Sequence, residues 1–427
     1  MLGETGYVPP SPDRASISHC SAGSQPKRMA AALTLANRRM SFPRLLAAIL
    51  MSSILAACAT MPPRTPYSLG DLAQTPAVQA QPIRFWAKGD DAAYSRWGET
   101  LRQDRAASGL AAPATLLALS GGSDKGAFGA GLLTGWSRTG SRPEFDIVTG
   151  VSTGALIAPF AFLGSAEDPT LTAIYTNISS KDIYRKRVLG GLLGGPSLLD
   201  SRPLAALIAR YVTPALLDRI AAEHRRGRRL LVMTTQLDAQ QGTIWDMGAI
   251  AASNEPERAA LFRRVLLASA SIPGAFPPVL IDTTIGGRRI SEMHVDGGAI
   301  GGFFTLPTGL IAANPAAPRS NAAIFLIYNG VLEPDFEVVK PRTLTIMSHA
   351  LGTVLGQLDR NNADELKAFA RERGIPFHLC ALVPTEIDTK APLFDRDNMR
   401  ALYAIGEARA GQATGCLKQP AFVPILR

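Results

Sequence analysis

The residues best placed to do chemistry lie in Gly150-Val151-Ser152-Thr153-Gly154, where a serine stands at the tip of a turn with a glycine two positions to either side. The apolar run 146–149 leads in and an Ala/Leu/Phe-rich segment to Leu163 leads out, which predicts strand, tight turn and helix. The glycines let the backbone bend sharply without a Cβ clash, and the Ser152 hydroxyl is held over a helix N-terminus, where developing negative charge is favoured. A second glycine-rich turn, Ser120-Gly121-Gly122-Ser123-Asp124-Lys125-Gly126, joins the apolar run 114–119 to a helical stretch at 127–136. Successive backbone N–H groups in such a turn make a nest for an anion, either a phosphate or the oxyanion of acyl transfer. A nucleotide loop needs Ser or Thr after its lysine, whereas Lys125 is followed by Gly126 and Ala127, and the dinucleotide spacing of glycines is absent. The third piece is Asp296, which ends the strand-like run 290–295 and precedes Gly297 and Gly298. Carboxylate plus two glycines is the composition of a plain turn, and also of an acid presented at a strand end.

The elements that must position these groups recur along the chain. Strand-like runs are predicted at 114–119, 229–237, 290–295, 322–328 and 377–383, with helices at 92–107, 203–223 and 256–269. Strands of continuous apolar character separated by helix-length segments indicate an α/β fold whose mixed, mostly parallel sheet is covered on both faces. The hydrophobic content of 46% against 19% charged describes a chain with a large core. Of the net charge of +9, the first 57 residues hold six basic and two acidic residues, or +4, which leaves +5 for the remainder. That mild excess suits an anionic membrane surface better than nucleic acid.

The glycine nest, the serine turn and the late Asp-Gly-Gly occur in the order found in patatin-like phospholipases, and here the sequence strongly resembles that family. The block 268–279, ASASIPGAFPPV, looks like the family's proline-rich segment ahead of its aspartate, and 394–411 is similar to a closing family helix. The resemblance implies a three-layer α/β/α sandwich and a Ser/Asp dyad without histidine, with Ser152 as nucleophile and Asp296 as base. It implies an oxyanion hole at Gly121, Gly122 and Ser123, with Lys125, Gly126, Gly150, Gly154, Gly297 and Gly298 supporting the motifs. The expected activity is hydrolysis of acyl esters in phospholipids or related lipids, by a carboxylic-ester hydrolase that needs no cofactor and no metal. Two departures stand out: Ser123 replaces the usual third glycine, and AIGGFFTLP follows Asp296 and Gly297-Gly298 in place of the common Asn-x-Pro continuation. Acyl transfer to an alcohol, or lipid binding by a degenerate site, are the rival readings. His294 competes with Asp296 as base, because residues two apart on a strand share a face.

The N-terminal part reads as a targeting segment. Arg38, Arg39 and Arg44 precede the apolar run 45–55, too short to span a bilayer, and Leu55-Ala56-Ala57-Cys58 resembles the bacterial lipobox. This predicts a signal peptide within an over-long start at 1–57, lipidation at Cys58, a tether and polar lead-in at 58–113, a core at 114–310 and a completing part at 311–427. Envelope localisation follows, with a lipid anchor in the outer membrane facing the periplasm. Cys20, Cys58, Cys380 and Cys416 fit no zinc spacing, and whether Cys380 and Cys416 pair is left to distance. The basic run 184–187 before the glycine-rich 188–199 fits either a flap beside a phosphate-binding patch or a buried loop, and HRRGRR at 224–229 fits a helix end or a head-group contact.

Overall fold

The structure, a computed structural model, describes residues 61, 63–73, 83–110, 115–187, 195–305, 322–334, 336–412 and 416, all within the unit Ala59–Arg427. Cys58 and residues 188–194 lie outside the described residues. In chain order the elements begin with α1 (Leu69–Ala73), β1 (Arg84–Trp86), α2 (Asp91–Ala107), β2 (Thr115–Leu119), α3 (Gly126–Arg138) and β3 (Ile147–Val151). Next come α4 (Thr153–Leu163), α5 (Asp168–Asn177), α6 (Ser180–Ile183), β4 (Arg185–Lys186), β5 (Leu199–Asp200), α7 (Arg202–Tyr211) and α8 (Pro214–Arg225). After β6 (Arg229–Gln236) and β7 (Gln241–Asp246) follow α9 (Met247–Ala252), α10 (Arg258–Ser269), β8 (Val279–Ile285) and β9 (Arg288–Asp296). The chain then forms β10 (Ala323–Val331), α11 (Thr343–Arg373), β11 (Phe377–Leu382) and α12 (Arg396–Gly411).

The main sheet runs β1-β7-β6-β3-β2-β10-β11, with β9 also paired to β6 and β8 to β9. Strands β6, β3, β2, β10 and β11 are mutually parallel, and the remaining pairings are antiparallel. The expected α/β/α sandwich around a mixed sheet with a parallel centre is therefore what the chain forms. Alternation along the strands divides the core in two, because successive side chains face opposite sides of a sheet. Leu117, Leu119, Val148, Leu230, Val232 and Ile327 point to one face, covered by α3, α4, α8, α10 and α12 among others. Leu116, Ala118, Ile147, Leu231, Met233 and Leu326 point to the other, covered by Tyr94, Trp97 and Leu101 of α2 and by Leu366, Phe369 and Ala370 of α11.

Two details of the fold set the position of the site. Helices α3 and α12 pack backbone to backbone: a Cβ on Gly131 would sit 2.0 Å from Tyr403 O, and one on Gly406 2.1 Å from Phe128 O. This holds the N-terminus of α3, and with it the glycine-rich turn, in one place. Strand β6 acts as a ruler on its inner edge, since Met233 pairs with Val151 of β3 while the next residue, Thr234, pairs with Asp296 of β9. Where β3 stops and turns at Ser152, β9 takes over the same edge.

The helix expected at 203–223 is two helices. Thr213 Oγ1 accepts the Leu216 N–H at 3.2 Å and Pro214 opens α8, a cap and first-turn proline that start a new helix. The run at 224–229 is largely internal: Gly227, with φ +88°, ends α8, and Arg228 and Arg229 are buried against Phe145 O, Phe162 O and Asp104. Cys380 and Cys416 form a disulfide, with their Cα atoms 5.3 Å apart.

Candidate active site

Ser152 follows β3 directly and carries φ 55° and ψ −124°, a conformation that side-chain-bearing residues avoid and that holds its Oγ away from the sheet. Both flanking glycines are required by close backbone approach. A Cβ on Gly150 would lie 2.6 Å from Gly154 O, and one on Gly154 would lie 2.3 Å from Leu119 O. The turn is braced from behind by Ser269, whose Oγ accepts the Ser152 N–H at 3.0 Å and donates to Met233 O at 2.7 Å.

Ser152 Oγ donates to Asp296 Oδ2 at 2.6 Å. The carboxylate is oriented by its own turn, for Gly298 N–H donates to Oδ1 at 2.7 Å. The Asp296 backbone is fixed by Ser271 O, which accepts its N–H at 2.9 Å, and by Thr235 Oγ1, which donates to its carbonyl at 2.9 Å. Gly297 cannot carry a side chain, since a Cβ would stand 2.5 Å from Met233 O. Burial pushes the Asp296 carboxyl up to about 7, against the opposing pull of the Ser152 and Gly298 hydrogen bonds. An ordinary aspartate is a poor base near neutral pH, and this shift brings it into the useful range.

The glycine-rich turn packs directly on the serine, with a Gly121 Cβ falling 3.2 Å from Ser152 Cβ. Of the three expected oxyanion donors, Gly121 is not free in this structure, because its N–H donates to Gly302 O at 2.7 Å. The set narrows to Gly122 and Ser123, whose N–H groups bond to no described residue. Ser123 adopts φ 59°, and its buried hydroxyl has no hydrogen-bond partner among the described residues. Gly126 is needed for contact with the serine turn, since a Cβ there would meet Thr153 Oγ1 at 2.2 Å. The Lys125 N–H donates to Gly122 O at 3.1 Å and tightens the turn, while its side chain makes no ion pair among the described residues.

His294 does not join Ser152. It is completely buried, with Nδ1 3.0 Å from Thr234 Oγ1, Nε2 3.5 Å from Glu292 Oε2 and its ring edge-on to Trp245 at 5.6 Å. Arg84 binds Glu292 through both oxygens, at 2.8 and 2.9 Å. Burial drives the His294 pKa down against the opposing pull of Glu292, and the contact with His294 together with the Arg84 charge holds the Glu292 carboxyl below its usual range despite its burial.

Two residues outside the recognised motifs shape the site. Asn329, fully buried at the end of β10, donates from Nδ2 to Ser120 O at 2.8 Å and accepts the Gly129 N–H of α3 at 3.1 Å. Its carbonyl presses on Gly122, where a Cβ would come within 1.8 Å. Asp359 of α11 accepts the Gly302 N–H at 2.7 Å and the Tyr328 hydroxyl at 2.8 Å, and so fixes the carbonyl that occupies Gly121. In sequence Asn329-Gly330 reads as a turn after a strand; a polar residue closing an otherwise apolar run was the available signal for Asn329.

Along α4, starting at Thr153, runs an apolar pocket with about 60 Å³ of free space, whose lining does not include Ser152 or Asp296. Thr153, Leu156 and Phe160 form one wall at helical spacing, faced by Ile174 and Tyr175 of α5, Leu207 and Tyr211 of α7, and Phe394. Thr153 Oγ1 lies 3.0 Å from the Tyr175 hydroxyl, so these two polar groups of the lining satisfy each other.

Residues 117–316 match the family model of patatin-like phospholipases. No curated protein matches the chain. Among solved structures, the crystal structure of VipD from Legionella pneumophila aligns with 70% of this chain and 67% of that one, at 10% identity and a TM-score of 0.30.

Proposed function

We propose, from the premise that residues 117–316 form a patatin-like phospholipase domain, that the protein hydrolyses acyl ester bonds of phospholipids or related lipids through Ser152 and Asp296. The observation that carries this reading is the 2.6 Å hydrogen bond from Ser152 Oγ to a buried carboxylate, made at a strained strand-to-helix turn. Ser152 Oγ attacks the ester carbonyl carbon while Asp296 takes its proton. The carbonyl oxygen, now an oxyanion, is received by the N–H groups of Gly122 and Ser123. Collapse expels the alcohol, which takes the proton held by Asp296 and leaves the acyl group bonded to Ser152 Oγ. Water then attacks the acyl-serine, losing a proton to Asp296, and the acid departs as Asp296 hands that proton to Ser152 Oγ.

The apolar pocket supports a lipid substrate, because it begins at the residue after Ser152 and is lined almost wholly by carbon. Such walls favour an alkyl chain by about 0.8 kcal/mol for each buried methylene. The Cys380–Cys416 disulfide accords with an oxidising compartment, and with Cys58 at a lipobox it supports an envelope lipoprotein, anchored in the outer membrane and facing the periplasm.

Labelling with a fluorophosphonate, followed by mapping of the modified peptide, tests the assignment. Ser152 is expected to carry the label, and Ser152→Ala is expected to abolish both labelling and fatty-acid release while remaining folded. A folded Ser152→Ala protein that still hydrolyses lipid esters at near the parent rate overturns the reading. Intact labelling of the parent with no fatty-acid release from any lipid ester, but acyl transfer to an added alcohol, assigns the same site to transfer.

A further inference from the structure

The short strand β4 carries two exposed cations, Arg185 and Lys186, in an antiparallel hairpin with β5, Arg185 facing Asp200 and Lys186 facing Leu199. The nearby acids are already engaged. Asp200 accepts from Arg202 Nε at 2.7 Å and from its backbone N–H at 3.0 Å, and these bonds hold its carboxyl below the usual range. Asp182 caps α6, accepting the Ser179 N–H and hydroxyl, each at 3.0 Å. No ion pair joins Arg185 or Lys186 to another described residue, and exposed Lys181 adds to the excess.

This hairpin is tied to the serine site. Leu198 N–H donates to Gly274 O at 3.1 Å and Leu199 N–H to Ala275 O at 2.9 Å. The turn so held follows Ser269 and Ser271, the residues that fix the backbones of Ser152 and Asp296. On the other side, Ile183 lines the apolar pocket, and the Tyr184 ring packs edge-on against Phe276 at 6.4 Å and against Phe394 of the pocket at 6.3 Å. The cations therefore stand at the pocket's rim. Exposed apolar side chains stand on the same segments: Leu198 at 44%, Ile272 at 37% and Leu393, next to Phe394, at 45%. Cations interleaved with exposed aliphatic groups are the composition of a surface that meets a bilayer at the headgroup and acyl boundary.

We propose that this rim docks on an anionic phospholipid bilayer, Arg185 and Lys186 meeting lipid phosphates while Leu198, Ile272 and Leu393 enter the acyl boundary. The inference rests on the lipid acyl hydrolase reading, since docking there brings an acyl chain to the apolar pocket that Ile183 and Thr153 line. Binding tests it without turnover. The full chain carrying Ser152→Ala and Cys58→Ser, which removes hydrolysis and the lipid anchor, is sedimented with vesicles of phosphatidylcholine alone or with added phosphatidylglycerol.

Tighter binding to the anionic vesicles is expected, weakening as salt is raised. Arg185→Glu with Lys186→Glu should lower that binding about tenfold or more, and Lys186→Gln alone about fivefold, with thermal melting confirming that each variant is folded. Leu198→Asp should weaken binding to both vesicle types. The proposal is overturned if the charge-reversed chain binds anionic vesicles as tightly as its parent, or if the parent does not distinguish the two compositions. It is equally overturned if inorganic phosphate alone displaces the chain at unchanged ionic strength, which marks a free-anion site. A change in sedimentation velocity with unchanged vesicle binding would instead make the rim a contact between protein copies. Because every arm reads binding, failure of Ser152 as the nucleophile leaves the outcome interpretable.

Discussion

Asn329 binds Ser120 twice, its backbone N–H donating to Ser120 Oγ at 2.7 Å and its side-chain amide donating to Ser120 O at 2.8 Å. Ser120 Oγ passes the interaction on to Gly121 O at 2.7 Å, so the turn that aims the Gly122 and Ser123 N–H groups hangs from one buried amide. Its third bond, from Gly129 N–H to Oδ1, locks the same amide to the first turns of α3.

In the proposed mechanism these bonds make Asn329 a positioning residue. Asn329→Asp keeps the acceptor for Gly129 but turns an oxygen toward Ser120 O, where a donor is needed. We expect kcat to fall about a hundredfold, near the cost of losing an oxyanion donor, while KM stays within about threefold. A purely structural role predicts that kcat and KM follow the folded fraction, so both are to be measured on a short-chain nitrophenyl ester beside a thermal melt. A parent-like kcat in the folded variant removes Asn329 from the mechanism.

Asp296 couples activity and stability with opposite signs. In the proposed mechanism its carboxyl must be ionised to accept the Ser152 proton, so kcat/KM should fall about tenfold per pH unit below a midpoint near 7. For stability, the folded pKa of about 7 lies above the unfolded value of about 3.9. Below about pH 4 both states are protonated and there is no penalty. Between these values the unfolded chain has released the proton that the folded one retains, so stability declines as pH rises, reaching a cost on the order of 4 kcal/mol above pH 7. Asp296→Asn removes this cost while still offering a carbonyl to Gly298. The variant should lose nearly all hydrolysis, yet melt above the parent at about pH 8, with the gap closing toward pH 4. A gap independent of pH would show that Asp296 titrates normally.

His294→Gln separates the two candidate bases. His294 is buried, which lowers its pKa, and enclosed by Thr234, Glu292 and Trp245, so its replacement should cost about 1–3 kcal/mol of stability through unpaired buried groups. Activity on the nitrophenyl ester should remain within about tenfold of the parent. A folded but inactive His294→Gln protein, with Asp296→Asn active, would replace the Ser/Asp pairing with a Ser/His one.

The turns that carry the glycines, the serine and the aspartate were legible because such turns need residue types that leave local patterns: glycines at fixed offsets, and strands that end where the turns begin. Their meeting depends on β6, whose adjacent residues Met233 and Thr234 choose different partners, and no local pattern encodes that register. Helix α11 went unpredicted because its first half leaves Ile346, Met347, Leu351 and Val354 exposed while Gly352 and Gly356 lower its propensity, so no single buried stripe marks it. Asp359 was hidden with it. The break at Thr213-Pro214 was readable, since a capping residue followed by proline starts helices as often as proline ends them. The disulfide depended on β11 and the residues after α12 being brought to the same place, a matter of topology.

Ser123 is the departure from an all-glycine turn, and two substitutions separate what its side chain and backbone contribute. Its φ of 59° is strained for serine, and its buried hydroxyl bonds to no other described residue, so the turn holds one side-chain donor whose role is open to test. Ser123→Gly removes the hydroxyl and the strain together, whereas Ser123→Ala removes the hydroxyl and keeps the strain. Both should lower kcat about tenfold at nearly constant KM, because the hydroxyl acts only once charge has developed on the substrate oxygen. Their stabilities should diverge, with Ser123→Gly melting higher than Ser123→Ala by the equivalent of about 1 kcal/mol. Steady-state kinetics and melting of the two variants decide it: equal stability with parent-like kcat in both would mean that Ser123 contributes no more than its N–H.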